Sequence, residues 1–423
     1  MLKMLSAGLL AASGFLIPST AATAAVAPSP DCLTQAPPAC YTPGAFLNAY
    51  GVQPLLDRGI NGRGTTVVLI EQAHQGPAQP PGVTDIRQDL ADLDSQFRLP
   101  PPRIKVITTL AGQGAAPWLA DPEEVLDTAI VHAVAPDATI GELLVNPADV
   151  ATPGGLATVF GKAVRLAVSR GDVISLSDSF GEHFFTPAEV AQMHAALEYA
   201  AVRHVTFVAS SGDFGAVSDP QDWARFMPVK EVSLPASDPL VLGVGGTSLT
   251  ADPATGAYIG ETAWNTLPSL SDDGNSLASA GGFSHLFTRP AYQDAGTGRG
   301  VPDVAGDAGS TTGMAVALIV SGTSYGLGAA HGTSAATPFW AALIALADQE
   351  AGHDLGFVNP AIYRIARGPL YHKAFHDVTT GNNTVSFTSP PATITGYQAG
   401  PGWDPVTGWG TPNAQVLVPL LAR

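Results

Sequence analysis

Short apolar runs, rich in Val, Ile and Leu and mostly ending at Gly, Ser or Asp, recur along the chain from Gly64 onward. Because they show no alternation with polar residues, they are typical of strands that are buried on both faces of a sheet. The runs that we assign to strands are 65–71, 172–177, 204–210, 239–245 and 315–322.

Amphipathic segments lie between these runs, and the clearest of them are 156–170 and 187–204. A repeated order of strand, helix and strand predicts an α/β fold of three layers, in which helices flank a mainly parallel central sheet. With no internal repeat and no long linker, residues 41–423 form one domain in this prediction. Functional side chains are then expected in the loops beyond the carboxyl ends of the strands.

The first 24 residues have the pattern of a secretory signal peptide. A short basic start is followed by an apolar run and by small residues that end at Ala24. The alternative, an N-terminal membrane anchor, is disfavoured because the apolar run is short for a bilayer span. No later apolar run has that length either, so the mature protein is predicted to be secreted, soluble and without a membrane contact.

Composition excludes two further classes of protein. Of 423 residues, 45% are hydrophobic and 13% are charged, which is unlike a disordered chain. The 36 acidic residues outnumber the 19 Lys and Arg residues, giving a formal charge of −17. No basic surface is therefore expected for nucleic acid, and nucleic acid is excluded as a partner.

The chain has two cysteines, Cys32 and Cys40, in the short segment 25–40 that follows the signal sequence. In an oxidising compartment a disulfide is favoured over a metal-binding or catalytic role, because neither a histidine nor a second cysteine pair lies nearby. Two thiols cannot hold together a chain of this length, so stability must come from a buried core.

A candidate nucleophile, Ser334, stands at the start of an apolar helical segment, after Gly332 and Thr333 and four residues before Pro338. A serine there would lie at the positive end of the helix dipole, with proline in the first turn. An isolated Gly-Thr-Ser is more often only a helix cap. The same tripeptide also occurs at 322–324, but a glycine-rich stretch follows it there. Ser324 is therefore predicted to be a turn residue.

The side chains that could activate this serine as a base are carboxylates and not histidines. The segment 121–136 reads as a helix in which Glu123 and Asp127 share one face near its start. If buried, this pair can share a proton; alternatively it complements the helix dipole, with Glu124 facing solvent. Asp213 lies between glycines after a predicted strand, where a protonated carboxyl could donate to an oxyanion, although the segment could also be an ordinary turn.

Glu123, Asp127, Asp213 and Ser334, in this order, resemble the sedolisins, which are serine-carboxyl peptidases with a subtilisin-like fold. The resemblance runs from about Tyr41 to the C-terminus. It includes the segments 234–239, 244–247, 264–265, 281–284, 299–305 and 359–363. Subtilisin-like proteases with a histidine base are disfavoured, since none of the ten histidines lies in a His-Gly-Thr-His element.

The resemblance implies a role for each of these residues. Ser334 is the expected nucleophile, Glu123 the general base and then acid, Asp127 the group that orients Glu123, and Asp213 the acid of the oxyanion hole. Glu71, at the end of the first strand, occupies a position where some relatives extend the carboxyl network. The resemblance thus implies a secreted endopeptidase that cleaves polypeptides in acid. The protein is expected to be a monomer.

The resemblance also implies one structural calcium ion near the C-terminus. Calcium prefers oxygen ligands, which two aspartates and glycine-rich carbonyls can supply, although both loops could also be simple turns. The expected ligands are the side chains of Asp377 and Asp404 and the carbonyls of Val378, Gly400 and Gly402.

Two features depart from the family pattern. Only a short segment separates the expected cleavage point from Tyr41, so no typical pro-domain is visible, and a separate inhibitor or chaperone is a candidate partner. His331 stands where the family usually has a small residue. The alternative interpretation is therefore a secreted calcium-binding module with weak or no catalysis.

Overall fold

The structure is a computed structural model that describes residues 31–36, 38–76, 82–217, 229–266, 275–321, 324–388 and 391–423. The predicted signal peptide, 1–24, lies outside the described residues, as do the side chains of residues 318–325.

The helices, in chain order, are α1 (Pro43–Ala49), α2 (Gln53–Leu56), α3 (Ile86–Phe97), α4 (Pro122–Val134), α5 (Pro153–Val168), α6 (Pro187–Ala201), α7 (Thr333–Ala351), α8 (Asn359–Ala366), α9 (Tyr371–Ala374) and α10 (Ala414–Leu421). The strands are β1 (Thr66–Gln72), β2 (Thr84–Asp85), β3 (Arg103–Leu110), β4 (Leu119–Ala120), β5 (Thr139–Val145), β6 (Val173–Leu176), β7 (Phe180–Gly181), β8 (Thr206–Ser210), β9 (Ser233–Leu234), β10 (Leu242–Ala251), β11 (Tyr258–Ala263), β12 (Asn265–Thr266), β13 (Leu277–Ala278), β14 (Gly282–Thr288), β15 (Gly298–Val301), β16 (Val304–Asp307), β17 (Ala315–Ser321), β18 (Ser324–Ala329), β19 (Phe375–His376), β20 (Val385–Thr388), β21 (Pro391–Ile394) and β22 (Thr411–Pro412).

A central sheet organises the molecule. Its strand order is β11-β10-β8-β6-β1-β5-β3, and β16 also pairs with β10. The pairs are parallel except for β10 with the edge strand β11. Helices α4 and α7 pack in the core on one face, whereas α5 and α6 pack in the core on the other. The predicted three-layer α/β fold is confirmed.

The predicted strands were correct in four cases and misplaced in one. Runs 65–71, 172–177, 204–210 and 239–245 correspond to β1, β6, β8 and β10 of the central sheet. Run 315–322 instead supplies β17, which pairs with β18 in an antiparallel hairpin outside that sheet. β18 follows too closely for a parallel crossover, which needs a dozen or more residues.

Two strands of the central sheet carry no simple apolar signal. β3 is mostly solvent-accessible at the sheet edge. β5 is buried, yet it contains Glu142, a carboxyl that breaks the apolar run. Sequence patterns therefore did not predict them.

Cys32 and Cys40 form a disulfide, with their Cα atoms 5.5 Å apart. The bridge packs in a small cluster with Ala315, Leu327 and Ala329 of the β17–β18 hairpin. It thus anchors the start of the described chain to that hairpin. Within the described ranges, no helix combines the length and the apolar character that a membrane crossing requires.

Candidate active site

Helix α4 presents the first two carboxyls. Asp121 caps the helix by accepting from the backbone N–H groups of Glu123 and Glu124, and the Glu124 carboxylate accepts in return from the Asp121 N–H. This capping box fixes the first turn. Glu123 is half-buried, while Asp127, one turn later, is fully buried. Glu124 is buried as well, which contradicts the alternative interpretation in which it faces solvent.

Ser334 is the second residue of α7 and is only 6% exposed. Gly332 precedes the helix with a φ of +79°, a left-handed conformation that favours glycine and turns the chain into the helix. Pro338 is the sixth helical residue, so our placement of it in the first turn was wrong. Proline lacks the N–H that would bond to the Ser334 carbonyl, and the Ser177 hydroxyl approaches that carbonyl at 3.4 Å.

The Ser334 side chain lies close enough to the Glu123 carboxyl to favour its ionised form, which opposes the rise that burial causes in the pKa of Glu123. Behind Glu123, the Asp127 carboxyl accepts from the Ser177 hydroxyl at 2.7 Å and interacts with the Glu71 carboxyl at the end of β1. The predicted residues Ser334, Glu123 and Asp127 thus form one chain of contacts, and Glu71 extends it.

Two buried carboxylates that interact repel each other when both are ionised, so the Glu71 and Asp127 pair favours a state that holds one proton. Burial, followed by repulsion from neighbouring carboxylates, raises the pKa of Glu71 well above its usual value. Burial also raises the pKa values of Glu123 and Asp127, but both receive hydrogen bonds that favour their ionised forms. Glu71 is therefore the member best suited to carry the proton and donate it to Asp127.

Asp213 follows β8 and faces the turn at Gly332 and Thr333, where α7 begins. Its Oδ1 accepts from the backbone N–H and the hydroxyl of Thr333, at 2.8 and 2.7 Å. Its Oδ2 lies over Gly332, only 2.8 Å from where a β-carbon on that glycine would stand. Burial raises the pKa of Asp213, while these hydrogen bonds and then the nearby His331 oppose the rise. Because Oδ1 already accepts two bonds, Oδ2 is the oxygen placed to carry an acid proton.

The remaining candidates are less central. His331 is partly exposed, and its Nδ1 lies 3.1 Å from the Ala329 carbonyl. Ser324 begins β18, so its prediction as a turn residue was wrong. Unlike Ser334, it does not lie at the start of a helix. Sequence analysis missed Ser177 and Thr333, which hold Asp127 and Asp213. For Ser177 the only signal was a hydroxyl directly after a buried strand.

The predicted calcium ligands meet in one loop region. The Gly402 N–H lies 3.1 Å from both Asp377 carboxylate oxygens, and the Gly400 N–H lies 3.1 Å from the Asp404 carboxylate. The Thr407 hydroxyl is 3.0 Å from that carboxylate and 3.4 Å from the Val378 carbonyl. The two loops thus bring together oxygens of the kind that calcium prefers, and the Asp404 carboxylate also accepts from the backbone N–H groups of Val406 and Thr407.

No cluster of three or more His, Cys, Asp or Glu side chains suited to a metal occurs in the part of the chain that the structure describes. A site with two carboxylates and several main-chain carbonyls, as expected here, does not depend on such a cluster.

Comparison with known proteins agrees with this fold. The profile of the subtilase family matches residues 108–409. The chain therefore belongs to the subtilase family, and its similarity to kumamolisin and to Pseudomonas sedolisin supports the sedolisin group within it. Kumamolisin from Bacillus sp. strain MN-32 is 34% identical over 406 residues, which cover 92% of this chain and 65% of the relative.

Two other relatives extend the comparison. Tripeptidyl-peptidase SED1 from Arthroderma otae is 33% identical over 294 residues, covering 59% of this chain and 40% of the relative. The structure of Pseudomonas sedolisin, a serine-carboxyl proteinase complexed with pseudo-iodotyrostatin, has a TM-score of 0.73 and 27% identity, covering 89% of this chain and 96% of that one. The chain spans less than two thirds of the length of both curated relatives.

Proposed function

We propose that the chain is a secreted serine-carboxyl endopeptidase that hydrolyses polypeptides under acid conditions. The observation that carries this proposal is the interaction between the Ser334 side chain and the Glu123 carboxyl, with Asp127 and Glu71 behind it. A serine needs a base within hydrogen-bonding reach to become a nucleophile, and here that base is a carboxylate. The relationship to the sedolisins supports the same assignment.

In the acylation step, Glu123 takes the hydroxyl proton of Ser334 while the serine oxygen attacks the carbonyl carbon of the peptide bond. Asp127 orients Glu123, and the protonated Glu71 limits the negative charge that gathers around it. Glu123 then gives its proton to the leaving amine, which releases the first product. Water, activated by the same carboxylate, hydrolyses the acyl-enzyme and restores the serine.

The tetrahedral intermediate carries negative charge on the former carbonyl oxygen. The Asp213 carboxyl, held by Thr333 and directed over Gly332, donates its proton as a hydrogen bond to that oxygen. A carboxyl can do this only in its neutral form, and burial favours that form. The oxyanion site therefore depends on acid conditions.

Acid pH suits both parts of this mechanism. At pH ~4 a histidine base with a pKa of ~6.5 would be almost fully protonated. Glu123 acts as the base in the molecules in which it is ionised, and because burial and Asp127 raise its pKa, loss of activity toward strong acid is expected as well. As pH rises, Asp213 and Glu71 lose the protons that the mechanism needs. Activity is thus expected to be greatest in acid and to vanish toward neutral pH.

Cleavage of casein or denatured globin between pH 3 and pH 8 tests the proposal. Wild type is expected to cleave with an acid optimum, and Ser334→Ala to show no cleavage at any pH because the nucleophile is gone. Serine-dependent cleavage with an optimum near pH 8 would contradict the carboxylate base. If no serine-dependent cleavage occurs at any pH, the chain is instead the catalytically inactive calcium-binding module. Mass spectrometry of the products separates internal cleavage from release of N-terminal tripeptides.

Calcium is proposed as a structural ion, held by Asp377, Asp404 and the carbonyls of Val378, Gly400 and Gly402. It would neutralise two neighbouring carboxylates and join loops that are distant in sequence. A separate inhibitor or chaperone partner and a monomeric state remain predictions.

Removal of calcium should lower the melting temperature of the Ser334→Ala variant, whose use avoids self-digestion. An ion that binds only the folded state at 100 times its Kd adds about 2.7 kcal/mol to the free energy of unfolding. The measurement compares thermal unfolding at pH 6 in millimolar calcium and in excess chelator. The added Asp404→Asn substitution should reduce the response, and an unchanged melt in excess chelator would contradict the site.

A further inference from the structure

A buried polar pair that the proposed mechanism does not use lies between α4 and the central sheet. Glu142 is in the middle of β5, is 2% exposed, and has Leu69 of β1 as its cross-strand partner. Thr128 of α4 is fully buried and faces it, with the Thr128 Oγ1 atom 2.5 Å from Glu142 Oε1. This carboxyl thus lies on the sheet face that α4 covers.

The protons available for this contact indicate whether Glu142 is protonated or ionised. Thr128 Oγ1 is also 2.7 Å from the backbone carbonyl of Glu124, one turn earlier in the helix. A threonine hydroxyl has one proton, so it cannot donate both to that carbonyl and to an ionised Glu142. Both contacts are satisfied if Thr128 donates to the Glu124 carbonyl and Glu142 donates its own proton to Thr128.

The surroundings also disfavour an ionised Glu142. Its second oxygen, Oε2, has no hydrogen-bond partner among the described residues. None of the ion pairs in the described ranges includes Glu142. A buried charge without a partner is strongly unfavourable.

Three acids interact electrostatically with Glu142. These groups are Glu71 on β1 and Glu124 and Asp127 on α4. The neighbouring strand β3 contributes the apolar Val106 as its cross-strand partner. Helix α3, packed against α4, directs Asp89 to Thr84 and Asp94 to His132. A negative charge on Glu142 would therefore be repelled and not compensated.

We propose that Glu142 is a positioning residue that acts in its protonated form, donating to Thr128 and thereby holding α4, with Glu123 and Asp127, against the central sheet. Thr128 directly follows Asp127, so the contact fixes the turn that carries the proposed catalytic carboxyls. The inference rests on the proposed function, because that function makes these carboxyls the ones that must be positioned.

The pH dependence follows from linkage. Burial raises the pKa of Glu142 from 4.5 to about 7, and a bond that the protonated carboxyl donates to Thr128 favours the same neutral form. Between these two values the folded state binds more protons than the unfolded state, so stability falls as pH rises. The contribution is complete below pH 4.5 in this picture and is lost as pH rises through about 7. Gln at this position remains a neutral donor at every pH.

Thermal unfolding from pH 4 to pH 8.5 tests the proposal in full-length Ser334→Ala protein, with and without Glu142→Gln. The two melting temperatures should agree near pH 4, and the Gln variant should be higher by about 2 to 4 °C above pH 7. Hydrogen exchange of residues 122–134 gives the positioning readout. Protection of this helix, corrected for the intrinsic exchange rate, should fall with pH in the parent and fall less in the Gln variant.

Thr128 supplies the matched control. Thr128→Val should lower the melting temperature at pH 4, where the pair is formed. Thr128→Ser keeps the hydroxyl and should melt closer to the parent. Melting curves of the parent and Glu142→Gln that remain parallel across pH, or that separate toward acid pH, would overturn the protonated state. Equal protection of α4 despite separated melting curves would overturn the positioning role. Neither readout uses peptidase activity, so failure here is distinct from failure of the proposed function.

Discussion

Glu123→Gln is expected to lower kcat by about 10⁴-fold or more at the acid optimum, because an amide cannot accept the serine proton. Its carbonyl oxygen can still accept the hydrogen bond from Ser334, so the contact geometry is preserved. The melting temperature should not fall, since a neutral amide removes the repulsion between Glu123 and Asp127. Steady-state cleavage of a peptide substrate, with parallel thermal unfolding, measures both effects.

Glu124→Gln is the matched control for this experiment. It changes the adjacent carboxyl of the same helical turn, whose role is to accept from the Asp121 N–H in the capping box. A glutamine oxygen can also accept that bond, so activity should remain close to that of wild type. If Glu123→Gln retained activity within about tenfold of wild type, a different group would have to be the base.

The fold could be predicted to a large extent because the strands β1, β6, β8 and β10 are continuous apolar runs with helical segments between them. The prediction failed where burial and polarity do not agree. Glu142 breaks the pattern of β5, although this strand is as buried as its neighbour β1. The apolar run in β17 has the composition of a central strand, but its short connection to β18 makes it a hairpin.

The candidate site was predicted through spacing and through resemblance, and each had a different limit. An i, i+4 pair predicts that Glu123 and Asp127 share a helix face. It does not predict that Ser334 or Glu71 lies beside them, since that depends on how β1, α4 and α7 pack. The supporting hydroxyls of Ser177 and Thr333 were missed for the same reason, because their partners are distant in the sequence.

Asp213→Ala is expected to lower kcat/KM by about 10²- to 10³-fold, the usual cost of losing one oxyanion donor. Truncation also leaves the backbone N–H and hydroxyl of Thr333 without the acceptor that they have in Asp213 Oδ1. The loss of stability from these contacts must therefore be measured separately. Thermal unfolding of the variant in a Ser334→Ala background provides that control.

Asp213→Asn separates the donor role from the structural one. The two donors of Thr333 require an oxygen at the Oδ1 position, so the amide nitrogen takes the place of Oδ2 over Gly332 and presents an N–H. Asn should therefore retain far more activity than Ala at acid pH.

The pH profile of kcat/KM gives the sharper comparison. In wild type the donor is present below the pKa of Asp213, which burial raises, and is lost as pH rises through that value. Asparagine keeps its hydrogens at every pH, so Asp213→Asn should hold its activity to higher pH than wild type. The remaining decline would then report the proton on Glu71, whose pKa is raised well above the ordinary range. If the alkaline decline of Asp213→Asn coincided with that of wild type, Asp213 would not be the acid that limits activity.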